Sequence, residues 1–366
     1  MDLQMSCFPI RGMSFGKSGG STPFPHDRTL IMPSRLLLFA LFPASLCSEP
    51  SLEAAPAVQL SFQTEPGVLY QLQKKSGAGW TTLSPAIRGN GKPWVSLQPA
   101  GDYRLHAPRN EWVLVWADEF EGTEIDFTKW SREENNYGGG NFERQAYRTN
   151  PKFSFVKDGK LNIAVYREPH TTSDGKTQPY SSARLRTLNR GDWKFGRFEI
   201  RAKMPDGQGI WPAIWMMPTN SPYGTWAASG EIDIVESRGS KVQETLGALH
   251  FGGKWPNNVH LDHTYTFPGS NAAEDFHTYA LEWNGSEISW FVDGVKWKTR
   301  KNSEWRSSAA PDNPSAPYDH PFHLILNVAV DGRFFEKEDQ KADRLPAKAF
   351  PQVMQVDYVR VYQWNE

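Results

Sequence analysis

From about residue 110 onward the chain alternates short apolar runs with turn dipeptides every 8 to 12 residues, a rhythm that points to packed β-sheets. "FSFVKDGKLNIAVY" holds two runs joined at Asp158-Gly159. "YALEWNGSEISWFVDGVKWKT" holds two more joints, at Asn284-Gly285 and Asp293-Gly294. Such pairs favour the left-handed backbone that tight hairpins need. "WKFGRFEIRAKM", "FHLILNVAV" and "VMQVDYVRVYQW" read as further strands, and no long segment keeps a helical period. The expected fold is all-β: over residues 110–365, one sandwich of two curved antiparallel sheets, with a concave face left free for a ligand.

Residues 57–107 show shorter alternating runs ("VQLSF", "VLYQLQKK", "WTTL", "WVSL", "DYRLH") separated by "EPG", "SGAG" and "GNGK". They are expected to form a small β-rich module, either a carbohydrate binder or a structural spacer. Residues 49–56, "EPSLEAAP", read as a linker. Residues 1–48 read as a leader. Within it "MPSRLLLFALFPASLC" has a basic start at Arg35, an apolar run from Leu36 to Phe42, and small residues after it. That is the anatomy of a secretory signal peptide, and the run is too short to span a membrane. Met32 is therefore the expected start and secretion the expected fate, whether to the extracellular space, the periplasm or the cell surface. Cys47 follows Leu46, where a lipid anchor wants a small residue. Both cysteines, Cys7 and Cys47, precede the globular part, so the fold is not expected to rest on disulfides.

With 40 basic and 41 acidic residues the formal net charge is −1, which gives no electrostatic reason to expect a nucleic-acid partner. The chain carries 15 Trp, 21 Phe and 12 Tyr, enough for a large aromatic core or an aromatic-lined cleft. No nucleotide loop, metal-hydrolase histidine pair or serine elbow is evident, so no organic cofactor is implied.

"GEIDIVES" places Glu231, Asp233 and Glu236 among Ile232, Ile234 and Val235. The apolar residues belong in a sheet interior, whereas a bare buried carboxylate is costly. Straight alternation would put Glu231 and Asp233 on one face and turn Glu236 away. A β-bulge at Ile234-Val235 would return Glu236 to the face of Glu231. Two carboxyl groups about 5 Å apart are what retaining glycoside hydrolysis requires. Glu231 is then the expected nucleophile and Glu236 the expected acid/base, with Asp233 supporting Glu231. Crowding of the three acids should raise at least one pKa. An acidic edge strand or a calcium loop is the competing reading.

"GIWPAIWMMP", "WAASGEIDIVE", "GALHFGGKWPNN", "DFHTYALEW", "HLILNVAV" and "VDYVRVYQ", in this order, resemble glycoside hydrolase family 16, in the bulged form typical of endo-β-1,3-glucanases (laminarinases). The resemblance covers about residues 110 to 365. It implies a β-jelly-roll that hydrolyses a polysaccharide with retention of configuration. A sugar cleft needs aromatic platforms rimmed by polar groups, and the resemblance assigns Trp211, Trp215, Trp226 and, further along, Trp255 to that role. Core tryptophans are the alternative. It makes His250 a donor near the carboxylates rather than a core histidine. It offers Asn141 and Arg184 as sugar contacts, with Glu143 and Gln145 weaker candidates. Glu119 and Asp357 match positions that hold a structural calcium in some relatives. Asp331 stands where similar enzymes often have Gly, and Ala227 where laminarinases commonly have Pro.

The expected function is that of a secreted, monomeric, retaining endo-β-glucanase acting on β-1,3 linkages. The alternatives are the same chemistry on mixed-linkage glucan, agar or carrageenan, or a non-catalytic glucan-binding protein.

Overall fold

Asp158 and Gly159 turn the chain between Ser154–Lys157 and Lys160–Val165 with both residues at positive φ, 53° and 66°. Asp293 and Gly294 do the same between Glu287–Val292 and Val295–Lys301, at 49° and 78°. These are the tight hairpins that their dipeptides specify. The Asn284-Gly285 joint is built differently. Its loop runs from Trp283 to its cross-strand partner Ile288, and Asn284 Oδ1 accepts from the backbone N–H groups of Ser286 and Glu287. A side chain that replaces the turn's own hydrogen bond removes the need for a left-handed backbone.

The computed structural model describes residues 57–172, 175–335 and 342–366. The leader with its Met32 start, both cysteines and the 49–56 linker lie outside the described residues.

Two eight-stranded antiparallel sheets pack face to face. The outer sheet runs, in spatial order, Ser154–Lys157, Lys160–Val165, Gln352–Asn365, Gly196–Lys203, His277–Trp283, Glu287–Val292 and Val295–Lys301, with Glu111–Asp118 also paired to Gln352–Asn365. The second sheet runs Asn258–Thr266, Glu244–Gly252, Glu231–Glu236, Ile210–Pro218, Phe322–Val330, Arg184–Arg186 and Ser131–Arg132, with Asp192–Trp193 also paired to Phe322–Val330. This is a β-sandwich of the jelly-roll kind.

Burial follows alternation. Gly196–Lys203 sends Phe198, Ile200 and Ala202 inward and keeps Arg197, Glu199 and Arg201 half-buried on the other face. Phe322–Val330 departs from that rule, with all nine residues buried, so both of its faces are covered. Its inner face joins the main core through Phe322, Leu324, Leu326, Val328 and Val330. On its outer face Asn327 is met by Trp215 and Tyr147, and Ala329 packs with Trp211 and Phe335. The exposed rim strand Val295–Lys301 carries Lys296, Lys298 and Lys301, charges that discourage edge-to-edge pairing.

Residues 57–106 form a separate set of strands around a small cluster of Leu60, Leu72 and Tyr103. Asn365, an Arg88–Gln363 side-chain hydrogen bond and an Ala86 N–H to Leu114 carbonyl bond tie them to the sandwich. Asn365 accepts from the Leu69 N–H and donates to the carbonyls of Leu69 and Pro108.

Candidate active site

The Glu231–Glu236 strand sits mid-sheet between Ile210–Pro218 and Glu244–Gly252. Its register shows the expected irregularity. Asp233 pairs with Ala248 and Glu236 with Leu246, so Ile234 and Val235 together face Gly247. On the other side Val235 pairs with Ile214 and Asp233 with Trp215, leaving Ile234 as the extra residue. Ile232, Ile234 and Val235 all enter the main core, and Glu231, Asp233 and Glu236 share the opposite face.

A bulge leaves backbone groups without ladder partners. Here the Asp233 carbonyl is met from the opposite sheet, where Trp290 Nε1 donates to it at 2.9 Å. Trp290 is fully buried, and it reaches across because Gly247 has no side chain. A Cβ on Gly247 would lie 2.6 Å from Trp290 Nε1.

Each carboxylate has a fixed donor. Trp226 Nε1 donates to Glu231 Oε2 at 2.6 Å, and Trp211 Nε1 donates to Glu236 Oε1 at 2.9 Å. His250, directly opposite Glu231 on the next strand, places Nε2 3.2 Å from Asp233 Oδ2 and 3.6 Å from Glu231 Oε1. Its backbone carbonyl accepts from the buried Tyr318 hydroxyl at 2.9 Å. The His250 ring also stacks on His260 with centroids 5.8 Å apart.

Burial and the Asp233 charge raise Glu231 to about 7, against the pull of His250 and the Trp226 N–H. Burial and Asp233 raise Glu236 further, to about 8, where His250 and the Trp211 N–H again oppose them. For His250, burial favours the neutral ring, but Glu231, Asp233 and Glu236 outweigh it and raise the imidazole to about 10. Glu231, Asp233 and His250 bring ligand atoms within 4.8 Å of one another, so on geometry alone they could hold a metal ion. A protonated imidazole is a poor ligand and itself supplies the positive charge that a cation would bring.

The aromatic candidates separate into two kinds. Trp226 and Trp255 are exposed, at 36% and 67%, and are joined by a hydrogen bond from Trp255 N to Trp226 O. Both present open ring surface, and Trp226 does so beside Glu231. Trp211 is corrected: an open platform was expected, but it is 9% exposed and its ring stacks on Phe334 at 4.4 Å. What it offers the cleft is its N–H. Trp215 is half-buried, with the Arg184 guanidinium 4.7 Å from its ring centroid and its N–H donated to Asn327.

Arg184, expected as a sugar-facing fork, is a buried side chain paired with Glu133 at 2.9 Å and packed on the Trp215 ring. The cross-sheet row Arg184, Asn327, Ala213, Glu236 nonetheless places it in register with the acid. Asn141 closes the Gly138–Gly140 turn, and its side chain bonds Glu143. Glu143 is buried, which raises its pKa, and accepts from Gln145 Nε2 at 2.6 Å. Gln145 Oε1 in turn accepts from Val330 N at 2.7 Å. Glu143 and Gln145 thus brace the glycine loop, and Gly139 must lack a Cβ because one would lie 1.9 Å from Glu143 Oε1.

The calcium expectation does not fit. Glu119 receives both Nε and Nη2 of Arg360 at 2.8 Å, and Asp357 pairs with Arg201 at 2.5 Å. Each carboxylate already has an arginine where a cation would compete.

Several residues at the site escaped the sequence reading. Asn327 could have been found, as a lone amide inside the apolar run "HLILNVAV". Trp290, Tyr318 and Phe334 carried no local signal, because their importance depends on which strands lie opposite.

Comparison with known proteins adds to this geometry. The family described as "Glycosyl hydrolases family 16" matches residues 132–323, a span that holds both glutamates. "Glucan endo-1,3-beta-glucosidase A1" of Niallia circulans is 43% identical over 261 residues, 68% of this chain and 38% of that protein. "Beta-glucanase" of Rhodothermus marinus is 38% identical over 259 residues, 70% of this chain and 86% of that one. The solved laminarinase from Rhodothermus marinus superimposes with a TM-score of 0.61 at 38% identity, covering 70% of this chain and 99% of that chain.

Proposed function

This chain belongs to glycosyl hydrolase family 16, and from that premise we propose that it is an endo-acting enzyme that hydrolyses β-1,3-glucosidic linkages with retention of configuration. The observation that carries the reading is the bulge at Ile234 and Val235, which sets Glu231 and Glu236 on one face with a fixed donor on each. Glu231 attacks the anomeric carbon. Glu236 protonates the leaving oxygen and then takes a proton from the water that releases the glycosyl group. Burial and Asp233 work against ionisation of Glu231, and His250 and the Trp226 N–H are the groups that favour it. Trp226 and Trp255 present ring faces to the apolar faces of sugars. Secretion, expected from the leader, accords with a polymeric substrate.

Activity requires Glu231 ionised and Glu236 protonated. Both groups are raised, Glu236 further. Below about 7 the nucleophile is protonated, and above about 8 the acid is lost. The kcat/KM profile should therefore be a bell with its maximum between these limits. A profile peaking in the unperturbed carboxylate range would contradict the assignment, because burial raises both groups above it.

Substrate class is tested by incubating the purified protein with laminarin, mixed-linkage glucan, agarose and carrageenan. Short β-1,3 oligosaccharides from laminarin, released with retained anomeric configuration, are expected. Cleavage of a galactan with silence on laminarin would keep the mechanism and overturn the substrate. Binding of glucan without any cleavage would make the chain a glucan-binding protein.

A further inference from the structure

Trp211 holds Glu236 through its N–H, yet it lies outside the main core and packs in a cluster of its own with Ala329, Phe335 and Phe334. Phe334 covers the flat face of Trp211, with an interplanar angle of 13°. Its other face is covered by the Arg238 guanidinium, 4.2 Å from the ring centroid. Arg238 Nε also donates to the Phe334 carbonyl at 3.1 Å, so ring and backbone are held by one side chain. Phe335 meets Trp211 edge-on and is buried.

The segment carrying Phe334 is pinned where it leaves its strand. Asp331, at φ 58° and buried, accepts the Ala342 N–H through Oδ1 at 2.9 Å and pairs with Arg144 through Oδ2 at 2.9 Å. Arg144 also binds Asp343 at 2.7 Å, and Asp343 accepts from the Tyr180 hydroxyl at 2.7 Å. A carboxylate at this position thus fastens the start of the segment to Arg144 and to Ala342.

We propose that Phe334 is a positioning residue for the hydrolysis assigned above: clamped between Arg238 and Trp211, it fixes the indole so that its N–H stays on Glu236. The inference rests on the reading of Glu236 as acid/base. The charged groups facing Glu236 are Asp233, Glu231 and His250, and the Trp211 N–H is the neutral donor among them. Losing that donor removes an interaction that favours the ionised carboxyl, so Glu236 should hold its proton to higher pH.

The test compares Phe334→Ala, Phe334→Leu and Phe334→Trp with the parent. Kinetics on laminarin are paired with the pH titration of the Glu236 side-chain carboxyl followed by carbon-13 NMR. Alanine and leucine should lower kcat about tenfold, a part of the roughly 10^2- to 10^4-fold that a well-placed proton-transfer group supplies, with KM little changed. Both should move the alkaline limb and the Glu236 titration upward, and tryptophan should restore all three. Leucine keeps most of the volume, so it reports if the alanine variant fails to fold. A rise in KM with kcat and the Glu236 titration unmoved would make Phe334 a sugar platform and overturn the proposal. An unchanged Glu236 titration in the leucine variant would overturn it as well. A parent that cleaves no β-glucan defeats the reading of function, whereas the titration still judges the contact between Phe334, Trp211 and Glu236.

Discussion

Replacing Glu231 with Gln should lower kcat on laminarin by on the order of 10^4- to 10^6-fold, the range for losing one member of a cooperating catalytic set, while laminari-oligosaccharide binding measured by calorimetry persists. The amide keeps an oxygen for the Trp226 N–H, so the site should not collapse. What it loses is the charge that attacks the anomeric carbon. Glu236→Gln separates the two roles. With natural glucan it should also fail, by about 10^2- to 10^4-fold. With an aryl glycoside whose leaving group departs without a proton, the first step should largely recover. Glu231→Gln gains nothing from a better leaving group. If both variants responded equally to the leaving group, the division of labour proposed for the two glutamates would be wrong. If Glu231→Gln retained normal turnover, the site itself would be misassigned.

Gly247→Ala is the second large effect, and it is aimed at the fold beneath the chemistry. The new methyl would sit 2.6 Å and 2.7 Å from two atoms of the buried Trp290 indole. Neither the tryptophan nor the opposite sheet can step aside cheaply, because protein interiors are close-packed. The expected cost is about 3 kcal/mol, or roughly 5–10 °C in melting temperature for a domain of this size. Activity should fall even below the new melting point. Displacing Trp290 removes the donor from the Asp233 carbonyl and frees the bulge that aims Glu236. A variant that melts normally and cleaves normally would show that Trp290 does not hold the bulge.

Local signals carried the reading of the sequence where the structure is local. Asp158-Gly159 and Asp293-Gly294 make tight turns because two adjacent residues decide the backbone there. The bulge could be inferred because three acids out of step on one strand have few physical solutions. Asn284-Gly285 was misjudged in detail, since a side-chain oxygen took over the turn's hydrogen bond. Trp211 and Arg184 are both expected as sugar contacts, and the structure buries both. Exposure depends on Phe334 and Glu133, which come from distant segments and follow no spacing rule. The arginines on Glu119 and Asp357 were equally invisible, because a carboxylate in a sequence does not announce whether its partner is a metal or a guanidinium.

The strand Gln352–Asn365 pairs with Lys160–Val165 and Glu111–Asp118 on one side and with Gly196–Lys203 on the other. Every one of those partners is synthesised before it. Until it emerges, the outer sheet exists as three unconnected pieces, and the core that Met354, Val356, Val359 and Val361 complete stays open on that side. The chain must therefore wait, with much of its apolar surface uncovered, for its final contacts to close over long sequence separations. Such closure is slow and leaves the waiting state prone to aggregation. The time between synthesis and closure is thus the interval in which this protein has most need of a chaperone.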